Sequence, residues 1–69
     1  MAERRLSNRL KEIRDQRGLT QAELAQLAGV SRKTINTIEN GIFTPSTTLA
    51  LTLSEVLNLR VEDIFKLEK

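Results

Sequence analysis

The polar side chains best suited to chemistry in this 69-residue chain cluster in one short segment, SRKTINTIEN. Arg32 and Lys33 can donate hydrogen bonds to the O6 and N7 acceptors of guanine, and the amide of Asn36 can pair with adenine. Ser31 and Thr37 can bond several base edges or contact a thymine methyl group. These residue types therefore suit contact with base pairs.

Helical periodicity places most of these side chains on one side of a single element. A helix from about Arg32 to Asn40 would turn Ile35 and Ile38 inward and leave the polar residues on the opposite arc. A polar helix face is most often simply a solvated face. Periodicity alone therefore leaves both interpretations open.

A second short helix must precede and brace this one. Thr20 and Glu23 have the spacing of a capping box, in which each side chain bonds the other residue's backbone. Gly29 then ends the helix in the left-handed conformation, and Ser31 caps the next helix. Its apolar face consists of Leu24, Ala25, Leu27 and Ala28. Two short helices joined by a turn around one glycine form a helix-turn-helix, whose second helix can enter a DNA major groove.

Three further helices complete the expected architecture. The spacing of Leu6, Leu10 and Ile13 predicts a first helix from about residue 6 to residue 17. A fourth helix begins after either Thr44 or Ser46, and the sequence does not decide between these caps. It ends near residue 58, and VEDIF makes a short fifth helix, while the tail FKLEK alternates weakly and could pair as a short edge. Five short helices with short connections predict an all-α fold.

Composition excludes several functional classes. The chain has no cysteine and no histidine, which excludes a thiolate metal site, a Ser-His pair and a histidine general base. It also lacks a glycine-rich phosphate loop, a run of about 20 apolar residues and the apolar core of a signal peptide. We therefore expect a soluble, cytoplasmic protein that is not an enzyme and binds no metal or cofactor.

Charge is distributed unevenly along the chain. Residues 1–33 carry eight Lys or Arg and four Asp or Glu, whereas residues 34–69 carry three and five. A basic first half suits a polyanionic partner. By itself this asymmetry is a weak signal, because many small domains show it by chance.

The ordered string TQAELAQLAGVSRKTINTIENG closely resembles the helix-turn-helix of Cro/CI-type phage repressors, the XRE family. The similarity extends to RLKEIRDQRGL before it and LNLRVEDIF after it, so it covers nearly the whole chain. The resemblance implies one five-helix, lambda-repressor-like domain over residues 1–69. Its helix-turn-helix would occupy residues 20–40.

The resemblance also implies a role for individual side chains. An ion pair between Arg14 and Glu39 would tie the first helix to the third. The implied base contacts are Ser31, Arg32, Lys33, Asn36 and Thr37. The implied phosphate contacts are Thr20, Gln21, Asn40 and Arg14.

The carboxy-terminal part, residues 45–69, is implied to mediate homodimerisation. The side chains expected to form the interface are Leu49, Val56, Ile64, Phe65 and Leu67. The alternative is that they are scattered surface apolar residues, which are common. We also expect Leu51 to point away from the core-facing side of the fourth helix.

These observations favour a regulator that binds double-stranded DNA as a dimeric repressor at an inverted-repeat operator. A second hypothesis is an antitoxin-like protein that also binds a toxin or co-regulator through the apolar carboxy-terminal patch. A third is an adaptor that uses the fold without reading DNA.

Overall fold

The structure is a computed structural model, and it describes residues 4–68. Five helices follow one another between two short strands. Along the chain the elements are β1 (Leu6–Asn8), α1 (Leu10–Gln16), α2 (Gln21–Ala28), α3 (Arg32–Glu39), α4 (Thr47–Leu57), α5 (Val61–Ile64) and β2 (Phe65–Leu67).

Local hydrogen bonds define both ends of α2 and the start of α3. The Thr20 hydroxyl accepts from the Glu23 N–H at 3.0 Å, and the Glu23 carboxylate accepts from the Thr20 N–H at 2.9 Å. Gly29 ends α2 with a φ of 73°, a conformation that glycine adopts without steric cost. The Ser31 hydroxyl then caps α3 by accepting from the Thr34 N–H. The predicted capping box, glycine stop and serine cap are all confirmed.

The cap of α4 decides between the two alternatives left open by the sequence. The Ser46 hydroxyl accepts from the Leu49 N–H at 3.1 Å, so Ser46 rather than Thr44 begins the helix. Asn58 ends α4 in the left-handed conformation, with a φ of 54°. Asparagine is one of the few residues other than glycine that tolerates this conformation.

The core lies where α1 to α5 and β2 meet. Its buried apolar side chains are Leu10, Ile13, Leu24, Ala25, Ile35, Ile38, Leu53, Leu57, Ile64 and Phe65. One predicted core residue is wrong: Leu27 is 58% exposed. Leu27 lies about 160° from Ala25 around the helix axis, so burial of the Leu24–Ala25 edge turns Leu27 towards solvent.

The fold is mostly helical but not all-α, which corrects the expectation from the sequence. Strands β1 and β2 form a two-stranded antiparallel sheet in which Leu6 pairs with Leu67 and Asn8 with Phe65. The first helix therefore begins at Leu10 and not at Leu6. Leu6 still packs against the core from the strand, so its apolar spacing fits either conformation.

The carboxy-terminal tail supplies the second strand. Phe65 belongs to β2 and not to the fifth helix, and the weak alternation that suggested an edge strand is confirmed. The pairing continues beyond the strands, because the Arg9 N–H donates to the Ile64 carbonyl and the Glu68 N–H to the Arg5 carbonyl. None of the helices described is both long and apolar enough to cross a membrane.

Candidate nucleic-acid interface

Helix α3 has two chemically opposite sides. Ile35 and Ile38 are fully enclosed in the core. The opposite side, which we call the outer face of α3, carries five polar side chains: Arg32, Lys33, Asn36, Thr37 and Asn40. All of these except the half-buried Thr37 are exposed, and the capping residue Ser31 is exposed at the start of the helix. The structure therefore brings the predicted base-contact residues together on one surface.

The positive charges on this face are not neutralised by neighbours. Neither Arg32 nor Lys33 takes part in an ion pair within residues 4–68. With Gln21 and Asn36 they line an open groove of about 320 Å³ between α2 and α3. Two free cations beside two amides form a surface that attracts anions and hydrogen-bond acceptors.

The inner end of α3 is fixed by a buried ion pair. Arg14 Nε donates to Glu39 Oε2 at 2.7 Å, and Arg14 Nη2 donates to Glu39 Oε1 at 3.3 Å. A third bond runs from Arg14 Nη1 to the Leu19 carbonyl at 2.8 Å. The side chains of Arg14 and Glu39 are 11% and 3% exposed. The hydrogen bonds that Arg14 donates to the Glu39 carboxylate raise the pKa of Arg14 above its ordinary value, despite the opposing effect of burial.

This geometry distinguishes between the two roles expected of Arg14. Its place beside Glu39 is the one expected of the ion pair that links α1 to α3. A phosphate contact does not fit, because the guanidinium is buried and directs its hydrogen bonds to Glu39 and Leu19. Removing it from Glu39 would leave a buried carboxylate without its charged partner.

Gln21 connects the start of α2 to α3. Its amide nitrogen donates to Asn36 Oδ1 at 3.1 Å and to Glu39 Oε1 at 3.0 Å. Both hydrogens of this nitrogen therefore bond within the protein. A phosphate contact at Gln21 would have to use the backbone N–H, which is one of the free donors at the start of a helix.

Asn36 is held from a second direction. Asn40, one helical turn further along, donates from Nδ2 to Asn36 Oδ1 at 3.3 Å. The Asn36 oxygen thus accepts from both Gln21 and Asn40, while its own amide hydrogens point to no acceptor within residues 4–68.

The Thr37 hydroxyl bonds within the helix instead of pointing freely to solvent. It lies 3.0 Å from the carbonyl oxygens of both Lys33 and Thr34 and donates into the helix backbone. This pattern is common for threonine within helices. With the hydroxyl hydrogen used in this way, the Thr37 oxygen can only accept a further hydrogen bond, and the methyl group remains for apolar contact.

Asn8 is a positioning residue that was not predicted from the sequence. Its amide nitrogen donates to the Ile38 carbonyl at 3.0 Å, and its side-chain oxygen accepts from the Leu10 N–H at 3.0 Å. It therefore holds the end of α3 while starting α1. An asparagine shortly before an apolar periodic run is a recognised helix-start signal, and that signal could have identified it.

The expected dimer residues lie in two different environments. Leu49 and Val56 are partly buried, and Leu67 is 50% exposed. Ile64 and Phe65 are only 1% and 7% exposed. These two belong to the core of one chain, which corrects the expectation that they contribute to an exposed patch.

Comparisons with known proteins agree with this geometry. The HTH_3 family model, described as helix-turn-helix, matches residues 10–64. An uncharacterised HTH-type transcriptional regulator of Bacillus subtilis, YgzD, is 38% identical over 64 residues, which cover 93% of this chain and 97% of that protein. One from Archaeoglobus fulgidus is 43% identical over 60 residues, which cover 87% and 86%.

A solved structure shows the same arrangement. The restriction-modification controller protein C.AhdI from Aeromonas hydrophila superposes with a TM-score of 0.76 and 33% identity. The match covers 80% of this chain and 83% of that protein. The chain therefore belongs to the XRE-type helix-turn-helix family of DNA-binding transcriptional regulators.

Proposed function

We propose that this protein is a dimeric repressor that reads an inverted-repeat operator in double-stranded DNA through α3. The observation that carries the proposal is the outer face of α3, where Arg32 and Lys33 are exposed and without an ion-pair partner in the described residues. A helix has the width to enter the major groove, where each base pair presents a distinct set of donors and acceptors.

Base recognition falls to the outer face of α3 and its cap. Arg32 and Lys33 donate to guanine O6 and N7, the pairing that their geometry favours. Thr37 contacts a thymine methyl group because its hydroxyl is engaged in the helix. Ser31 and Asn36 contact the edges of neighbouring bases.

Phosphate contacts fall to the start of α2 and the end of α3. The Thr20 hydroxyl accepts from the Glu23 N–H, and its own hydrogen can turn from the Glu23 carboxylate towards a phosphate oxygen. The backbone N–H of Gln21 is a free donor at a helix N-terminus, where the helix dipole favours an anion. Asn40 uses one amide hydrogen on Asn36 and keeps the other. Such contacts provide affinity and orientation rather than sequence preference.

Two copies of the chain would bind one operator. A two-fold dimer through Leu49, Val56 and Leu67 would present two α3 helices to successive major grooves, about 34 Å apart. Occupation of a promoter then excludes polymerase, which is how such a dimer would repress. Because the proposed target is DNA, we also propose that the protein acts in the cytoplasm.

The direct test is selection from a random duplex pool at roughly physiological salt, followed by sequencing of the retained DNA. We expect an enriched inverted repeat whose half-sites lie one helical turn apart. The charge reversal Lys33→Glu serves as a control and should retain almost no DNA. Retention without enrichment would contradict sequence reading and favour a role that depends on a protein partner, such as a toxin or co-regulator. Absence of retention would favour an adaptor.

A further inference from the structure

We propose that Asn36 reads guanine rather than adenine, because its amide oxygen is already bonded within the protein. This inference rests on the proposed function and specifies the base read by one side chain. It differs from the pairing that the residue type alone suggests, since asparagine ordinarily recognises adenine.

The amide oxygen of Asn36 has no lone pair left with which to accept a hydrogen bond from DNA. A carbonyl oxygen has two lone pairs. Gln21 Nε2 donates to this oxygen at 3.1 Å and Asn40 Nδ2 at 3.3 Å. One donor lies at the start of α2 and the other at the end of α3. The Asn36 amide is therefore held in one orientation. Only the two hydrogens on Asn36 Nδ2 remain for DNA.

Each base presents a different pattern to a side chain that can only donate. Adenine offers one acceptor, N7, and its N6 amino group needs an acceptor from the protein. Guanine offers two acceptors, N7 and O6, and no donor at these positions. An asparagine restricted to donating therefore matches guanine at both groups and adenine at only one.

The restraint on Asn36 extends into the protein interior. Gln21 is kept in place by its second bond, to Glu39 Oε1 at 3.0 Å. Glu39 in turn is held by Arg14 at 2.7 Å, with its side chain 3% exposed. Turning the Asn36 amide over to accept from adenine would bring its NH₂ group against the Gln21 NH₂ group. Turning Gln21 as well would then place its oxygen against the Glu39 carboxylate.

The groove around Asn36 is also rich in hydrogen-bond donors. Gln21, Arg32, Lys33 and Asn36 line it, and the arginine and lysine side chains carry donors and no acceptor. A surface of this kind complements the acceptor-rich edge of guanine better than the mixed edge of adenine.

The test uses four selections from the same random duplex pool, with the wild-type protein, Asn36→Ala, Gln21→Ala and the control Gln26→Ala. Asn36→Ala identifies the operator positions that Asn36 reads, as those whose base preference disappears. We expect guanine at these positions with the wild type. Gln21→Ala frees one lone pair of the Asn36 oxygen, and we expect adenine to gain about tenfold relative to guanine there. Gln26→Ala, an exposed glutamine of α2 outside this network, should leave the preference unchanged.

A chemical probe tests the contact with guanine N7 directly. Replacing the guanine with 7-deazaguanine removes N7 and should weaken wild-type binding several-fold while leaving Asn36→Ala unaffected. If Gln21→Ala does not fold, Asn40→Ala removes the other donor to Asn36 Oδ1 and carries the same expectation.

Three results would overturn the inference while leaving the proposed function intact. The first is adenine at the Asn36 positions with the wild type. The second is an unchanged guanine preference in folded Gln21→Ala or Asn40→Ala. The third is an equal loss of affinity for all duplexes with Asn36→Ala, which would indicate a phosphate contact. Failure of the wild type to enrich any sequence would instead contradict the proposed function itself.

Discussion

Helices α3 and α4 each bury two apolar side chains completely, yet they leave different chemistry at the surface. Helix α3 buries Ile35 and Ile38 in the core and presents hydrogen-bond donors and two cations to solvent. Helix α4 encloses Leu53 and Leu57, has Glu55 as its one charged residue, and leaves several apolar side chains partly or fully exposed. Similar anchoring to one core therefore produces one surface suited to a polyanion and another suited to apolar contact.

The two helices also differ in how they are held. Side chains from three other elements bond to α3: Asn8 from β1, Arg14 from α1 and Gln21 from α2. The caps of α4 are instead local, from Ser46 before it and Asn58 after it. A helix that must place side chains against base edges needs such tethers, because small displacements of donors weaken directional hydrogen bonds.

The largest effect is expected on removal of Arg14, which holds α3 through its ion pair with Glu39. We expect Arg14→Met to lower the free energy of unfolding by about 3–5 kcal/mol, because it leaves the buried Glu39 carboxylate without its charged partner. Urea denaturation measures the change. The double variant Arg14→Met with Glu39→Leu should regain most of the loss, since two apolar side chains replace the pair. Equal instability of the single and double variants would show that the charge pair is not the cause.

The next effect concerns binding through the outer face of α3. Arg32→Ala should weaken binding to the selected operator by about 1–3 kcal/mol and relax the preference at one or two base pairs. Fluorescence anisotropy with matched and base-substituted duplexes measures both quantities. Arg60→Ala is the control, because this arginine is also exposed but lies at the start of α5, where it pairs with Asp63. An unchanged base preference in Arg32→Ala would remove Arg32 from the reading residues.

A third change examines the apolar surface at the carboxy-terminal end. Leu67→Glu should raise the dimer dissociation constant about tenfold or more, or roughly 1.4 kcal/mol, because it places a charge in the proposed interface. Sedimentation equilibrium measures the constant. Leu51→Glu is a matched control, since Leu51 is 53% exposed and Leu67 50%, and Leu51 faces away from Leu49 and Val56. An equal effect of both changes, or of neither, would contradict this interface.

The smallest effect concerns the pH dependence of the cap that begins α2. The Thr20 backbone N–H, and then the Thr20 hydroxyl, lower the pKa of Glu23. Because the folded-state pKa lies below the unfolded value, the carboxylate stabilises the fold at neutral pH, and this contribution is lost as the pH falls through the folded-state pKa. Thermal melts of Glu23→Gln should therefore show a lower Tm than wild type at pH 7 and a narrowing difference at acidic pH. A difference that stays constant with pH would contradict this role.

Local signals in the sequence were sufficient to predict the helix-turn-helix. The capping box at Thr20, the glycine stop at Gly29 and the cap at Ser31 each depend on neighbours within four residues, and all were confirmed. The first strand was missed because its pairing is distant: Leu6 meets Leu67. The spacing of Leu6, Leu10 and Ile13 is compatible with a helix, and only the partner strand decides otherwise.

The candidate site was likewise predictable from the sequence only in part. Residue types and helical angles predicted which side chains share the outer face of α3. They could not show which hydrogen-bonding groups remain free, because this depends on contacts between separate elements, such as Gln21 with Asn36 and Asn8 with the Ile38 carbonyl. The buried positions of Ile64 and Phe65 likewise follow from packing that periodicity does not specify.

In the proposed complex, α3 and the start of α2 contact DNA, whereas α4 and β2 do not. Titration of the ¹⁵N-labelled protein with the selected duplex, followed through amide chemical shifts, tests this arrangement. We expect the largest shift changes within residues 20–40 and small changes over residues 51–67. Largest changes along α4 and β2, with residues 31–37 unaffected, would contradict it.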